Sequence, residues 1–214
     1  MTLTFYTNPQ SRGRIARWML EEVGQPYETV ILGYADTMKS DEYRAINPMM
    51  KVPAIVHDGR VVTEGAAICA YLADAFPEAG LAPRTPEERA AYYRWMFFAA
   101  GPMEQAITNK AMRVEPNADQ QRMAGYGNFA LAAEVLGHAI ADRQFVAGDR
   151  FTAADVYVGA GIGWYTRFGL LPQTAAFDAY LERIESRDAY KRAAQLDDAA
   201  AAEAAGTQTA GDEN

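Results

Sequence analysis

The first third of the chain alternates short apolar runs with turn residues, which is typical of a small α/β unit. Residues 3–6 predict a first strand, and residues 27–32 predict a second one. Between them, Ile15, Met19 and Val23 recur at helical spacing and predict a half-buried helix. A strand, a helix and a strand in succession imply a parallel pair of strands joined by a right-handed crossover.

The pattern continues with a hairpin enclosed by two helices. The segments of the short helix, the hairpin and the following helix are residues 39–46, 54–63 and 65–76. Asp58-Gly59 lies at the centre of the hairpin, and this pair favours the left-handed backbone angles of a tight turn. The order of the elements predicts a thioredoxin-like domain over residues 1–78.

Strand signals disappear after a linker of residues 77–86, which contains three prolines. Long patterns at helical spacing then occupy residues 87–112, 118–140, 152–168 and 174–184. They predict an all-helical domain over residues 87–203. The alanine-rich tail from Ala199 is predicted to be frayed.

Composition and charge narrow the classes of partner. Half of the 214 residues are hydrophobic, the formal net charge is −8, and no basic cluster stands out. This balance argues against nucleic acid and anionic membranes as partners. The single cysteine, Cys69, excludes an internal disulfide, and neither a signal-peptide pattern nor an apolar run of membrane-spanning length is found. We therefore expect a cytoplasmic protein.

Residues 50–68 have the features of a site for a small peptide. The Val52-Pro53 bond is a candidate cis peptide, which would turn the backbone of Val52 outward for main-chain pairing. Gly65 lets a ligand approach the backbone closely, and the first turn of the following helix leaves N–H groups unpaired for a carboxylate. The alternatives are a trans edge proline at Pro53 and an ordinary acidic residue at Glu64.

Ser11 follows the first strand and a loop, at the expected start of the next helix. Such a start favours negative charge, so a thiol held there ionises more easily, and the hydroxyl of Ser11 could donate to the sulfur. Arg12 would add positive potential, whereas Tyr6 and Asn8 are alternative donors to the same sulfur. The plainer interpretation of Ser11 is a helix cap, and that of Arg12 a solvated side chain. For Tyr6 it is a buried strand aromatic, and for Asn8 a turn residue.

Two motifs of the helical region are interpreted as structural. Thr152 and Asp155 have the spacing of a capping box, and Phe151 and Val156 that of a hydrophobic staple. The glycines of residues 159–163 have no strand before them, so they predict close helix packing and not a dinucleotide site.

Four segments, taken in order, resemble the glutathione transferase superfamily in its bacterial, serine-type, theta-like form. The family's first loop and helix, the segment around its cis-proline, its glutamate-serine helix start and its helical-domain cap are similar to residues 11–20, 47–55, 64–68 and 151–156. The resemblance covers nearly the whole chain. It is specific for the superfamily and much less so for one activity.

The resemblance implies glutathione as co-substrate and no metal. It implies that Val52, after Lys51 and before Pro53, pairs with the cysteinyl backbone of glutathione. It also implies that Glu64 takes the γ-glutamyl ammonium, that the N–H of Gly65 takes its carboxylate, and that Lys51 lies near the glycyl carboxylate. A serine is usual in the family where Gly65 stands, so we expect weakened binding of glutathione and not its loss.

The thiol activator implied by the resemblance is Ser11, because the segment from Tyr6 to Arg17 is closer to the serine-type spacing than to the tyrosine-type one. Tyr6 stays open as the competing donor. The thiolate would attack a small apolar electrophile in a cleft between the domains. Candidate pocket residues, with core packing as the alternative, are Tyr92, Met96, Phe97 and Met103.

A cytoplasmic homodimer acting in detoxification is the further implication of the resemblance. Two alternatives remain: a glutathione-dependent isomerase, dehalogenase or peroxidase on the same fold, and a non-catalytic binder of hydrophobic ligands. The sequence does not identify the physiological electrophile.

Overall fold

The computed structural model describes residues 1–141 and 143–211, with side chains described as far as residue 204. The chain divides into two compact units. The first unit contains Met1–Ala79 together with the chain from Ser186 onwards, and the second contains Gly80–Glu185. None of the helices in the described ranges combines the length and apolar character needed to cross a bilayer.

The first unit is built on a four-stranded sheet with the order β2-β1-β3-β4. Strand β1 is parallel to β2 and antiparallel to β3, and β3 is antiparallel to β4. The elements are β1 (Leu3–Thr7), α1 (Gly13–Val23), β2 (Glu28–Ile31), α2 (Asp41–Ile46), β3 (Ala54–His57), β4 (Arg60–Thr63) and α3 (Gly65–Ala75). This order confirms the predicted thioredoxin-like fold.

The hairpin between β3 and β4 forms where the sequence predicts it. Asp58 and Gly59 both have positive φ angles, 47° and 79°, as two-residue hairpin turns require. The amide of Thr2 donates to Asp58 Oδ1 at 2.8 Å. The turn residues therefore fix the register in which the two strands pair.

The C-terminal residues depart most from the prediction. A long helix, α10 (Asp188–Gly211), replaces the frayed tail, although residues 212–214 lie outside the described part of the chain. This helix packs on α1 in the first unit, so the helical domain predicted over residues 87–203 ends earlier in the structure. Alanine has the highest helix propensity, and the alanine-rich composition favours this helix.

The second unit is helical, as predicted. Its helices are α4 (Pro86–Phe98), α5 (Glu104–Ala111), α6 (Ala118–Met123), α7 (Phe129–Ala141), α8 (Ala153–Arg167) and α9 (Ala175–Glu185). A π-helical turn, Ala99–Met103, separates α4 from α5 and contains Pro102, which cannot donate to the regular helix ladder. The predicted helix over residues 118–140 is broken near Gly127, whose φ is 65°.

The predicted capping motif is a buried structural centre of the second unit. Asp155 accepts hydrogen bonds from the Thr152 amide at 2.8 Å, the Val146 amide at 2.7 Å and the Tyr180 hydroxyl at 2.8 Å. Nearby, a Cβ at Gly159 would clash with Ile184 Cδ1. The first observation confirms that the capping motif is structural, and the second confirms that the glycines permit close helix packing.

Candidate functional site

The sheet register brings the predicted peptide-binding segments together. Tyr6 pairs with Ala54 across β1 and β3, and Ala54 pairs with Thr63 across β3 and β4. The end of β1, the start of β3 and the end of β4 therefore lie side by side. As a result, Val52-Pro53, which precedes β3, lies next to Glu64-Gly65, which follows β4.

The Val52-Pro53 segment offers unused backbone groups. The Val52-Pro53 peptide bond is cis, as the sequence suggested, and Pro53 is buried. The side chain of Val52 packs against a cluster of Leu32, Met38, Tyr43 and Ala54. Within residues 1–141 and 143–211, no hydrogen bond joins the N–H or the C=O of Val52 to another group. Both groups are therefore free to pair with an extended ligand.

Two buried side chains hold the preceding residue in place. The hydroxyl of Tyr43 donates to the carbonyl of Lys51 at 2.6 Å, and Asn47 Nδ2 donates to the same oxygen at 2.8 Å. Asn47 is only 4% exposed. Burial raises the pKa of Tyr43 to about 12, so its hydroxyl remains a donor at neutral pH. The Lys51 side chain is exposed.

Sequence reasoning assigned no role to Tyr43 or Asn47. A polar residue just after a short helix, with an aromatic one turn earlier, was the available signal, but it does not reveal what these side chains bond. Both side chains bond a backbone carbonyl, and because every residue has one, the sequence does not indicate which carbonyl they bond.

The start of α3 has an unusual backbone. Glu64 occupies the N-cap position with φ 66° and ψ 118°, and its exposed side chain does not cap the helix. A left-handed conformation at a non-glycine residue costs about 1–3 kcal/mol and is commonest at functional sites. The first N–H groups of α3, beginning at Gly65, have no partner within the helix. The turn therefore offers donors to an anion beside an exposed carboxylate.

Ser11 lies in the loop before α1, with its hydroxyl bonded inside that loop. Its Oγ donates to the carbonyl of Asn8 at 2.6 Å and accepts from the amide of Gly13 at 2.9 Å. The residue is 8% exposed. The helix begins at Gly13, with the exposed Arg12 at its N-cap, so Ser11 lies just outside the helix.

The Ser11 loop is fixed at several points. Asn8 Nδ2 donates to the carbonyl of Leu32 at 2.8 Å, and its Oδ1 accepts from the amide of Gln10 at 2.9 Å. Asn8 therefore fills the turn role that sequence analysis gave as the alternative. Gly13 packs so closely on β1 that a Cβ there would clash with Thr7 Oγ1 and come within 3.1 Å of Thr7 Cβ.

Tyr6 faces the other side of the sheet from the start of α1. Its ring packs on Tyr43 of α2, with ring centroids 5.7 Å apart. Thr7, the next residue along β1, is buried and contacts Gly13. The structure therefore brings Tyr6 to the Val52 side of the site, and Thr7 to the start of α1.

Other candidate residues serve the core. Tyr92, Met96 and Met103 are buried in the second unit, which agrees with the core-packing alternative for these candidates, whereas Phe97 is 72% exposed. Cys69 is fully buried, and this burial raises the pKa of its thiol. Across the described ranges, no group of three or more His, Cys, Asp or Glu side chains is arranged to hold a metal ion.

Comparison with known proteins connects this geometry to one family. Residues 12–75 match the model of the glutathione S-transferase N-terminal domain. The chain is 30% identical over 190 residues to glutathione S-transferase GST-4.5 of Xanthomonas campestris pv. campestris, covering 85% of this chain and 92% of that protein.

Solved structures agree with this match. A sphingomonad glutathione S-transferase complexed with glutathione has a TM-score of 0.73 and 26% identity, covering 91% of this chain and 98% of that one. The theta class glutathione S-transferase of Xanthomonas axonopodis pv. citri with glutathione bound has a TM-score of 0.71 and 26% identity. The match covers 90% of this chain and 97% of that one. The chain belongs to the glutathione S-transferase family.

Proposed function

We infer that the protein is a glutathione transferase, with glutathione as its co-substrate, and that the first unit binds this tripeptide along residues 51–53 and 64–65. The observation that carries the inference is the free N–H and C=O of Val52, which lie beside the cis-proline and next to the start of α3. This is the arrangement that an extended peptide with a free carboxylate can pair with.

Each group of the tripeptide has a counterpart. The Val52 backbone pairs with the cysteinyl residue, and Lys51 supplies a positive charge near the glycyl carboxylate. Glu64 accepts from the γ-glutamyl ammonium, and the N–H of Gly65 donates to the γ-glutamyl carboxylate. Pro53, through its cis bond, turns the Val52 backbone towards the ligand.

The thiol is activated at the Ser11 loop. The hydroxyl of Ser11 keeps its hydrogen but donates it to the glutathione sulfur in place of the Asn8 carbonyl. Ser11 Oγ still accepts a hydrogen bond from the Gly13 amide. The thiol proton passes to solvent, and the thiolate gains this hydrogen bond together with the positive potential of Arg12 and of the α1 start. Tyr6, which lies on the other face of β1, is the weaker candidate for this donor.

The thiolate then attacks an electrophilic carbon. A new S–C bond forms, and the leaving group departs with its bonding electrons. Catalysis combines a lowered thiol pKa with the positioning of two reactants. A small hydrophobic electrophile supplies this carbon, in keeping with a role in detoxification in the cytoplasm.

A homodimer is supported by an exposed aromatic pair on α4. Tyr93 is 40% exposed and Phe97 72%, and their ring centroids are 6.4 Å apart. Exposed aromatic side chains are enriched at protein interfaces relative to the rest of the surface. Replacing Phe97 by Glu should shift sedimentation from dimer to monomer, and an unchanged dimer would exclude this face.

Binding and turnover are tested in one series. Calorimetry compares glutathione with cysteinylglycine, which lacks the γ-glutamyl group, and a chlorodinitrobenzene assay measures turnover. We expect cysteinylglycine to bind at least about tenfold more weakly, because it leaves Glu64 and Gly65 without partners. Glu64→Gln should weaken glutathione binding, whereas the control Glu78→Gln, at an exposed acid elsewhere in the first unit, should not.

Equal affinity for the two peptides would contradict the assigned contacts. Glutathione binding without turnover would identify a non-catalytic binder, and the absence of both would refute the proposed function.

A further inference from the structure

Arg14 joins two parts of the first unit that are far apart in sequence. Its Nε donates to the carbonyl of Pro9 at 2.7 Å, in the loop that carries Ser11. Its second guanidinium nitrogen donates to Asp198 Oδ1 at 2.6 Å, on α10. One planar guanidinium therefore connects the Ser11 loop to the C-terminal helix.

The carbonyl that Arg14 holds is next to the one that positions Ser11. Asn8, directly before Pro9, accepts from both the amide of Ser11 at 3.1 Å and its hydroxyl at 2.6 Å. A displacement of Pro9 displaces the Asn8 carbonyl, and with it the hydroxyl of Ser11. Arg14 thus acts on Ser11 through two backbone groups of the loop.

This contact belongs to a row of ion pairs between α1 and α10, which we call the α1–α10 seam. The seam joins Arg14 to Asp198, Arg17 to Asp197 and Glu21 to Arg192, and it is continued by the pair of Glu22 with Arg187, the residue directly before α10. In the part of the chain that the structure describes, Arg14 is the seam residue whose side chain also bonds to the Ser11 loop. The other pairs attach α10 to the body of α1.

We propose that Arg14 is a positioning residue for the thiol chemistry, and that its contact with Asp198 lets the C-terminal helix set the geometry of the Ser11 loop. The inference rests on the proposed function. It adds a role for the part of α10 before Ala199, which sequence analysis assigned only to the helical domain over residues 87–203.

Positioning and direct charge make opposite predictions for Asp198. If Arg14 acts only through its positive charge, removing the nearby carboxylate leaves more positive potential at the thiolate, and the pKa of the bound thiol falls. If Arg14 acts by holding the loop, the loss of Asp198 loosens the loop, and this pKa rises. Asp198 is largely exposed, so Asp198→Asn should leave the fold intact.

The experiment compares Arg14→Gln, Arg14→Lys and Asp198→Asn with the control Arg192→Gln. The control also removes one arginine of the seam, but that arginine pairs with Glu21, away from the loop. The readouts are the pH profile of kcat/KM for glutathione with chlorodinitrobenzene, the separate kcat and KM values, and the thiolate absorbance of bound glutathione. Melting temperatures are measured alongside.

We expect Arg14→Gln to shift the acid limb of the profile upward by about 0.5–1 pH unit and to lower kcat/KM below that limb by about 3–10-fold. Asp198→Asn should shift the limb in the same direction, with a loss of about 2–3-fold, because an exposed ion pair is weak. Arg14→Lys should restore little, since an ammonium lacks the planar fork that reaches both partners. Arg192→Gln should match the wild type.

Three results of the activity measurements would overturn the inference: a downward shift of the acid limb in Asp198→Asn, full recovery in Arg14→Lys, or equal behaviour of Arg14→Gln and Arg192→Gln. A wild type without glutathione turnover would instead refute the proposed function. Hydrogen exchange at the Ser11 amide then tests, independently of activity, whether Arg14 holds the Ser11 loop. Exchange should quicken in Arg14→Gln and Asp198→Asn but not in Arg192→Gln, and equal rates would overturn the inference.

Discussion

The two halves of the proposed glutathione site differ in how ready they are for the ligand. At Val52, both backbone groups are free, and the residue before it is fixed by Tyr43 and Asn47. At Ser11, the hydroxyl already donates to its own loop. The proposed peptide-binding half, residues 51–53 and 64–65, which we call the peptide grip, is therefore preformed. Ser11, the proposed thiol activator, must exchange one hydrogen bond for another when glutathione binds.

This difference implies that the affinity for glutathione and the activation of its thiol depend on different residues. Exchanging a hydrogen bond within the protein for one to a charged sulfur favours the thiolate over the thiol, since bonds to charged groups are stronger. Changes around Val52 should therefore alter the Kd for glutathione, and changes around Ser11 should alter the pKa of the bound thiol. Each prediction below tests whether the two effects separate in this way.

The largest effect is expected from Gly13→Ala. The added Cβ clashes with Thr7 Oγ1, so the start of α1 and the Ser11 loop must move. We expect kcat/KM to fall more than about tenfold, with a loss of about 1–3 kcal/mol in the free energy of unfolding. Gly137→Ala, in α7, is the control, because a Cβ there meets nothing within 4 Å. Equal stability and activity of the two variants would contradict the close packing at Gly13.

Gly65→Ser should tighten glutathione binding by about tenfold, because the new hydroxyl adds a hydrogen bond to the γ-glutamyl carboxylate. Calorimetry measures the Kd, and thiolate absorbance measures the pKa of the bound thiol. The pKa should stay unchanged, since this residue belongs to the peptide grip. Equal or weaker affinity would mean that the carboxylate does not lie at the start of α3.

Tyr43→Phe should weaken glutathione binding by about 3–5-fold. The change removes one of the two donors that hold the Lys51 carbonyl and leaves Asn47 as the other. Because the variant acts on the peptide grip, kcat at saturating glutathione should be preserved. A fall in kcat without a change in Kd would show that the two halves of the site are not separable.

The alkaline stability of the protein should also depend on Tyr43. Burial raises its pKa to about 12, above the ordinary tyrosine value of about 10. The folded state therefore holds this proton more tightly than the unfolded state. The resulting stability is complete below about pH 10 and is lost as pH rises through about 12. Urea unfolding across this range should show a smaller decline in Tyr43→Phe, and an identical decline would contradict the assigned burial.

Local features of the fold were predictable from sequence, and features set by distant contacts were not. The Asp58-Gly59 turn and the Thr152–Asp155 motif each depend on a few neighbouring residues, and both formed as predicted. The Val52-Pro53 bond, for which sequence left cis and trans open, is cis. The helical domain predicted over residues 87–203 included much of α10, but the packing of this helix on α1 was missed, because its partners on α1 lie about 180 residues earlier. Its ion pairs are visible only once the chain has folded.

The candidate site shows the same division. Residue types, spacing and the family resemblance pointed to Ser11, Val52 and Glu64, but not to the bond between Ser11 Oγ and the Asn8 carbonyl. The left-handed backbone of Glu64 was equally hidden, because glutamate has no preference for it. Sequence thus predicted the residues of the proposed site, and the structure shows which of their backbone groups are free.

The most direct test of thiol activation is a pH titration of glutathione bound to the wild type and to Ser11→Ala, followed by thiolate absorbance. In the wild type, the bound thiol should ionise about one unit or more below the ordinary cysteine value of about 8.5. In Ser11→Ala, the pKa should rise by about one unit, while the Kd for glutathione changes by less than about twofold. Identical titrations of the two proteins would contradict the account and assign the sulfur to another donor.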